Sequence, residues 1–115
     1  MKLWTLSLCF VGLAGCASLQ IPPETLERSE AAIRGAEEVG AAKVPAAKLH
    51  IQLARDQTEA AKKMAENGDE RALLVLDRAQ SDAELALVLA REVAMHGDAT
   101  KAAEDLRALQ TRTNP

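Results

Sequence analysis

Residues 60–76 read AAKKMAENGDERALLVL, and this stretch decides the fold. The triplet Asn67-Gly68-Asp69 stands between two runs of strong helix formers, mainly alanine, leucine, glutamate, lysine and arginine. Glycine ends a helix readily because it adopts left-handed backbone angles, and an aspartate side chain accepts hydrogen bonds from the first amides of the next helix. The stretch therefore predicts two helices joined by a tight turn at Gly68.

The two helices that meet at this turn carry small and apolar residues at alternating steps of three and four. The second helix of the chain opens at Pro45 and runs to Glu66, and the third begins near Asp69. Such steps place residues on one helical face, where they form the packing seam between neighbouring helices. We expect the seam to consist of Ala46, Leu49, Leu53, Gln57, Ala60 and Met64 on the second helix, and of Leu73, Leu76, Ala79, Ala83, Ala86, Ala90 and Ala94 on the third, with Leu87 and Leu89 beside it.

A further helix precedes this pair and begins at Pro23, since proline favours the first helical position. It runs to about Val39, after which Gly40 opens a turn that ends at Val44. No segment shows the alternation of apolar and polar residues that marks a β-strand. The sequence thus predicts an all-α fold, either an antiparallel three-helix bundle or a hairpin with a long third helix. A solenoid of tetratricopeptide-type repeats is the alternative, which the scarcity of aromatic residues disfavours.

A second glycine-aspartate pair, Gly97-Asp98, lies within the third helix. Its likeness to the first pair predicts a kink or a break near Gly97, with Asp98 capping a last helical stretch over residues 99–111. The residues leave open whether the third helix is continuous through Gly97.

The N-terminus carries the pattern of an export signal. Lys2 supplies positive charge, and the apolar run over residues 3–11 is too short to span about 30 Å of hydrocarbon. The stretch that follows resembles the lipobox of bacterial lipoproteins, in which a cysteine thiol accepts a diacylglyceryl group; an ordinary secretory signal with a chance cysteine is the alternative. The resemblance implies a signal peptide at 1–15, signal-peptidase recognition at Leu13, Ala14 and Gly15, and lipidation at Cys16. The prolines and the helix formers that follow predict a tether at 16–22, a helical domain at 23–112 and a frayed tail at 113–115.

Two resemblances give expectations about location. Ala17 and Ser18 follow the lipobox cysteine without an aspartate beside it, which implies a lipid-anchored protein of the outer membrane that faces the periplasm. The helical stretch over residues 27–94 resembles domain of unknown function 4398, a domain of proteobacterial lipoproteins. The resemblance is carried by Ala31-Ala32-Ile33, Gly40-Ala41, Pro45, Leu49 to Ala54, Gly68-Asp69 and Ala79 to Ala86. That family has no assigned activity, so the likeness implies architecture and location alone.

Composition argues against nucleic-acid binding and against a disulfide within the chain. The chain has a formal net charge of -3 at pH 7, and its only aromatic residues, Trp4 and Phe10, belong to the predicted signal. Without a basic patch or a stacking platform, nucleic-acid binding is not expected. Cys16 is the only cysteine that would remain after cleavage, so no disulfide within one chain is expected.

No residue pattern predicts catalysis, a cofactor, a metal or a small-molecule substrate. His50 and His96 stand apart in sequence, and we expect them on the surface or at helix ends. Ser29 and Ser81 lack the neighbours of an activated nucleophile. Carboxylates are expected in exposed helical ion pairs four residues apart, namely Glu24 with Arg28, Glu30 with Arg34 and Glu59 with Lys63.

The expected function is a structural or protein-interaction module, held to the membrane by its N-terminal lipid and bound to an envelope protein or to itself. A periplasmic chaperone or carrier is the alternative, with an apolar groove formed by Met64, Leu74, Val75 and Met95. Covalent attachment to peptidoglycan is not expected because the chain ends in Asn114-Pro115 rather than in lysine.

Overall fold

Three α-helices make up the fold in the computed structural model, which describes residues 18–113. Helix α1 spans Pro23–Glu38, a 3-10 turn covers Ala41–Lys43, α2 spans Pro45–Glu66 and α3 spans Arg71–Thr113. No strand occurs within that described range. The all-α prediction is confirmed, and so is the long third helix, which has 43 residues.

Glycine and proline set the helix ends at the predicted positions. Pro23 and Pro45 open α1 and α2, where a missing backbone N–H removes no helical hydrogen bond. Gly40 and Gly68 follow the two helices with φ angles of 84° and 72°, in the left-handed region that glycine adopts without a steric cost. After α2, the amides of Gly68 and Asp69 donate to the carbonyls of Ala65 and Met64, which completes a Schellman motif.

Asp69 caps α3 as predicted. Its Oδ1 accepts a hydrogen bond of 3.0 Å from the backbone amide of Arg71, and the Arg71 guanidinium binds the same carboxylate. These hydrogen bonds favour the charged form and lower the pKa of Asp69 below its ordinary value. The stabilisation that they give is therefore present at neutral pH and is lost as the pH falls through the lowered pKa.

Small side chains fill the seam between α2 and α3. The buried residues are spaced by four and three in turn on both helices, in mirror order around the turn at Gly68. This is the pattern of an antiparallel coiled coil, in which α2 and α3 run side by side. The seam consists of Ala47, Ile51, Ala54, Thr58, Ala61 and Ala65 on α2 and of Ala72, Leu76, Ala79, Ala83, Ala86 and Ala90 on α3.

The predicted seam was largely right for α3 and wrong for α2. On α3, Leu73 and Ala94 are exposed, and Ala72 is buried instead. On α2, the buried face consists of other residues than those predicted, and both leucines of the predicted face are exposed. Helix spacing depends on the side chains at the contact. Because α3 presents mostly alanine, α2 comes close and buries its own small residues, while the leucines Leu49 and Leu53 lie outside.

Helix α1 lies against the hairpin and packs mainly on α3. It buries Ser29, Ile33 and Ala36, and Ile33 belongs to the same core cluster as Ile51 and Ala86. The Ser29 hydroxyl lies 3.0 Å from Thr58 Oγ1 in the interior. Thr58 donates its own proton to the carbonyl of Ala54, so Ser29 donates to Thr58. This bond fixes the position of α1 along α2.

The predicted break at Gly97 was wrong, since α3 runs through it without interruption. Asp98 is therefore an interior helical residue rather than a helix cap. A glycine inside a helix costs only about 0.5–1 kcal/mol relative to alanine and removes no backbone hydrogen bond. No proline or left-handed residue near it stops the helix, so the flanking helix formers carry α3 through to Thr113.

Candidate interaction surface

The last part of α3 extends beyond the rest of the fold. Ala47 and Ala90 are the final buried residues at this end of the hairpin, because α2 starts at Pro45. All side chains of residues 91–113, which we call the projecting segment, are exposed. At 1.5 Å per residue this segment is about 35 Å long. More than half of α3 thus has no partner within the described chain.

Several large apolar side chains are exposed on this helix, and five of them, separated by 3, 7, 11 and 3 residues, fall on one face. Leu85 is 42% exposed, and the fractions for Val88, Met95, Leu106 and Leu109 are 58%, 65%, 60% and 57%. Two alanines and one glutamate complete the series. The outer stripe, as we call it, consists of Leu85, Val88, Glu92, Met95, Ala99, Ala102, Leu106 and Leu109.

The outer stripe faces away from the hairpin seam. Val88 lies two positions from both Ala86 and Ala90, which are buried against α2. Two positions turn an α-helix by about 200°, so Val88 points to the opposite side of α3. Neither α1 nor α2 covers the stripe, and a second helix could lie along it without displacing either of them.

The tether lies at the opposite end of the molecule from the projecting segment. The amide of Leu19 donates a hydrogen bond of 2.9 Å to the carbonyl of Ala65, beside the turn that joins α2 to α3. From that turn α3 runs about 65 Å to its end at Thr113, at 1.5 Å per residue. The predicted lipidation site Cys16 and the recognition residues Leu13, Ala14 and Gly15 lie outside the described residues. Leu19 stands three positions after Cys16, and a stretch of that length reaches about 10 Å when fully extended.

His50 takes part in a polar cluster that the sequence analysis missed. Its Nδ1 lies 2.8 Å from Asp82 Oδ1, and Gln57 Nε2 donates to Asp82 Oδ2 over 2.9 Å. The cluster is half-buried and joins α2 to α3. The sequence does hint at this cluster, because the spacing of seven between His50 and Gln57 places both on one helical face. Only the register of the hairpin shows that Asp82 stands between them. His96, in contrast, is exposed on the projecting segment as expected.

Ion pairs form between α1 and α2 and within helices, but between other partners than those predicted. Among the described residues, none of the three predicted pairs lies within 4 Å. Lys62 Nζ instead lies 3.0 Å from Glu59 Oε1 and 3.1 Å from Glu30 Oε1. These two carboxylates raise the pKa of Lys62, Glu59 more than Glu30. Arg55 binds Glu37 in the same inter-helix groove.

The two serines considered as possible nucleophiles make structural contacts. Ser29 is buried against Thr58, and the Ser81 hydroxyl donates to the carbonyl of Asp77. In that range no three His, Cys, Asp or Glu side chains come together as a metal site needs. The four residues expected to line a carrier groove are dispersed along the molecule. Leu74 and Met95 alone lie about 30 Å apart along α3, at 1.5 Å per residue.

No protein family, curated protein or solved structure matches the chain. The resemblance to domain of unknown function 4398 therefore stays a prediction. Across residues 18–113, no helix combines the length and the apolar character needed to cross a membrane.

Proposed function

We propose that the protein is a lipid-anchored interaction module of the bacterial envelope, held to the outer membrane through Cys16 and facing the periplasm. In this proposal the bundle of α1, α2 and the first part of α3 is a support. The projecting segment of α3 is the surface that binds a protein partner, and no catalysis takes place.

The exposed apolar residues of the projecting segment carry the proposal. Exposed apolar patches on soluble proteins mark interaction sites. On the projecting segment Met95, Leu106 and Leu109 are exposed on one face, with Ala99 and Ala102 between them. Helices in proteins also gain most of their stability from packing, and the projecting segment has none within the described residues. Covering Met95, Leu106 and Leu109 with a partner would supply that packing.

The position of the tether supports the same proposal. Because the amide of Leu19 is bound beside the α2–α3 turn, a lipid on Cys16 would hold that turn within about 10 Å of the membrane. The projecting segment would then point away from the membrane, with Leu109 near its far end. A partner in the periplasm could reach it without contacting lipid.

A chaperone or carrier function has less support. An apolar cargo needs a concave site that surrounds most of its surface. Met64, Leu74, Val75 and Met95 do not converge on one such site, and the outer stripe is a convex helical face.

The anchor is tested by fatty-acid labelling and fractionation of cells that produce the full chain. The unmodified protein and the matched control Cys9→Ser should take up label and sediment with the outer membrane. Cys16→Ser should do neither. Stable membrane association of unlabelled Cys16→Ser would overturn the anchored part of the proposal.

The docking role is tested in the same cells with a photo-crosslinking amino acid at position 109 or, as a control, at position 49, which is exposed on α2. A discrete crosslinked species should form from position 109 and not from position 49. It should disappear in the variant Met95→Lys with Leu106→Lys and persist in Leu74→Lys, another exposed leucine of α3. The absence of any crosslink from position 109 would contradict the proposal.

A further inference from the structure

We propose that Asn67 is a site of spontaneous deamidation, and that the turn between α2 and α3 keeps it unreactive in the folded protein. Residues 67 and 68 read Asn-Gly. Glycine has no side chain to hinder a reaction between its amide nitrogen and the asparagine before it. Asn67 is therefore converted to aspartate or isoaspartate in chains whose turn has opened, and the product weakens the turn.

The reaction needs only these two residues and water. The backbone nitrogen of Gly68 gives up its proton and attacks Cγ of Asn67. A C–N bond forms, and the side-chain nitrogen leaves with that proton as ammonia. Water then opens the resulting cyclic imide at either of its two carbonyls, which gives aspartate or isoaspartate. The sum is a water consumed and an ammonia released, with no change of oxidation state.

Asn67 is the only asparagine of the sequence that can react in this way. The other one, Asn114, precedes Pro115, whose nitrogen carries no hydrogen. The side chain of Asn67 is exposed, so water reaches it. The sequence thus has a single such site, and it lies at the turn that joins the two helices of the hairpin.

The backbone of the folded turn holds the two reacting atoms apart. The ring of the cyclic imide closes only when Cβ of Asn67 eclipses the nitrogen of Gly68 about the Cα–C bond. Asn67 has a ψ angle of 4°, so its own backbone nitrogen eclipses the Gly68 nitrogen instead. The substituents of a near-tetrahedral Cα stand about 120° apart in this view, so Cβ is about that far from the position that the ring needs.

Hydrogen bonds keep both reacting groups in this arrangement. The amide of Gly68 donates to the carbonyl of Ala65 over 2.9 Å, and Asn67 Nδ2 donates to the carbonyl of Lys63 over 2.9 Å. Rotation about the Cα–C bond of Asn67 breaks the first bond, and turning its side chain toward Gly68 breaks the second. The reaction therefore requires the turn to open, and its rate follows the fraction of molecules in which the turn is open.

The product of the reaction fits the turn less well than Asn67 does. An aspartate carboxylate has no proton to donate, so the bond to the Lys63 carbonyl is lost and oxygen faces oxygen. The new negative charge also lies at the C-terminal end of α2, where the helix dipole disfavours it, and close in sequence to Glu66 and Asp69. Isoaspartate in addition lengthens the main chain of the Schellman motif. Because ammonia is lost, refolding does not reverse the change.

The site is tested on the purified full chain by peptide mass spectrometry after incubation in water enriched in heavy oxygen. The label enters only at a residue that deamidates. Asn67 should be converted at least about tenfold faster in concentrated urea than in buffer, because urea removes the requirement for local opening. The control variant Asn67→Gln keeps the amide but lengthens the side chain by a methylene, and it should take up no label at position 67 over the same period.

Two substitutions beside the site separate the effect of the turn from the chemistry. Asp69→Ala removes the side-chain cap of α3 and should raise the rate at Asn67 in buffer at least about twofold. Glu70→Ala, at the neighbouring exposed position, should leave that rate unchanged. In urea the two variants and the unsubstituted chain should react at the same rate.

The effect of the product on the turn is measured separately with Asn67→Asp. This variant should unfold at a lower urea concentration than the unsubstituted chain. An equal or higher urea midpoint would contradict the statement that conversion weakens the turn.

Three results would overturn the inference that the turn protects a reactive site. The first is conversion of Asn67 as fast in buffer as in urea, and the second is no conversion in urea. The third is the same rate in buffer for Asp69→Ala and Glu70→Ala, since the reaction would then not depend on the turn.

Discussion

The two parts of α3 differ in what covers them, although each contains five alanines. Over residues 71–90, alanines face α2 and are buried, and leucines such as Leu74 and Leu85 lie outside. Over residues 91–113, alanines and leucines alike are exposed. An alanine of this helix is therefore buried where α2 lies beside it and exposed beyond the start of α2 at Pro45. As a consequence, the outer stripe stays exposed.

The bundle is held by few large side chains. Apolar burial contributes about 25 cal/mol per Å², so each alanine of the seam adds little. Leu76, Ile51 and Ile33 supply the larger buried surfaces, with the Ser29–Thr58 hydrogen bond beside them. Substitutions should consequently have very uneven effects, large at these few positions and near zero on the projecting segment.

The largest difference between the two parts is expected for leucine truncation. Leu76 is the largest fully buried side chain among the described residues, so Leu76→Ala should lower the free energy of unfolding by about 2–5 kcal/mol. Leu106→Ala should change it by less than about 0.5 kcal/mol, because Leu106 is 60% exposed. Urea unfolding followed by circular dichroism measures both. Equal effects at the two positions would mean that the projecting segment folds onto the bundle.

Replacing an alanine by leucine should also destabilise the bundle when the alanine is in the buried part of α3, and should not when it is in the projecting segment. Ala83 is buried in the close contact between α2 and α3, so Ala83→Leu should force the helices apart at a cost of about 1–3 kcal/mol. Ala102 lies in the outer stripe, and Ala102→Leu should leave the bundle unchanged while strengthening any association through that stripe. A stable Ala83→Leu variant in urea unfolding would show that the seam is looser than its burial indicates.

The helix ends could be predicted from the sequence, whereas the rotation of α2 could not. Pro45, Gly40 and Gly68 act locally, through backbone angles that hardly depend on the rest of the fold. The rotation of α2 depends on how near α3 comes. Ala46 and Ala47 are neighbours, and so are Ala60 and Ala61, so two adjacent faces of α2 show the same period. The face with the larger side chains was predicted to be the seam, and that prediction was wrong.

The outer stripe was not predicted from the sequence, for a related reason. The sequence gives the outer stripe and the buried seam the same steps of three and four on one helix. Only the length of α2 decides that Ala86 is covered and that Met95 is not. Gly97 also suggested a helix end that would have divided the stripe, and a single glycine did not overcome the helix formers on either side.

The buried hydroxyl pair offers a finer comparison. Thr58→Val keeps the shape of the side chain but leaves the Ser29 hydroxyl in the core without its partner, which should cost about 1–3 kcal/mol of unfolding free energy. Thr100→Val is the matched control, because Thr100 makes the same local bond to the carbonyl four residues earlier on the exposed segment. It should have little effect.

The pair itself is tested by the double variant Ser29→Ala with Thr58→Val. Removing both hydroxyls leaves no unpaired donor, so the double variant should be more stable than Thr58→Val alone. If it is less stable, the hydroxyl bond is not the reason for the loss.

Gly97→Ala should have the smallest effect on the bundle and a visible one on the projecting segment. A Cβ at position 97 would have no neighbouring atom within 4 Å, so alanine fits without strain. It should stabilise the helix locally by about 0.5–1 kcal/mol, because glycine loses more backbone freedom than alanine when it becomes helical. Amide hydrogen exchange of residues 91–113 should slow by several-fold, while exchange in the buried part of α2 stays unchanged. A slower exchange in α2 as well would mean that the two parts unfold together, and the division drawn between a covered and an uncovered half of α3 would then be wrong.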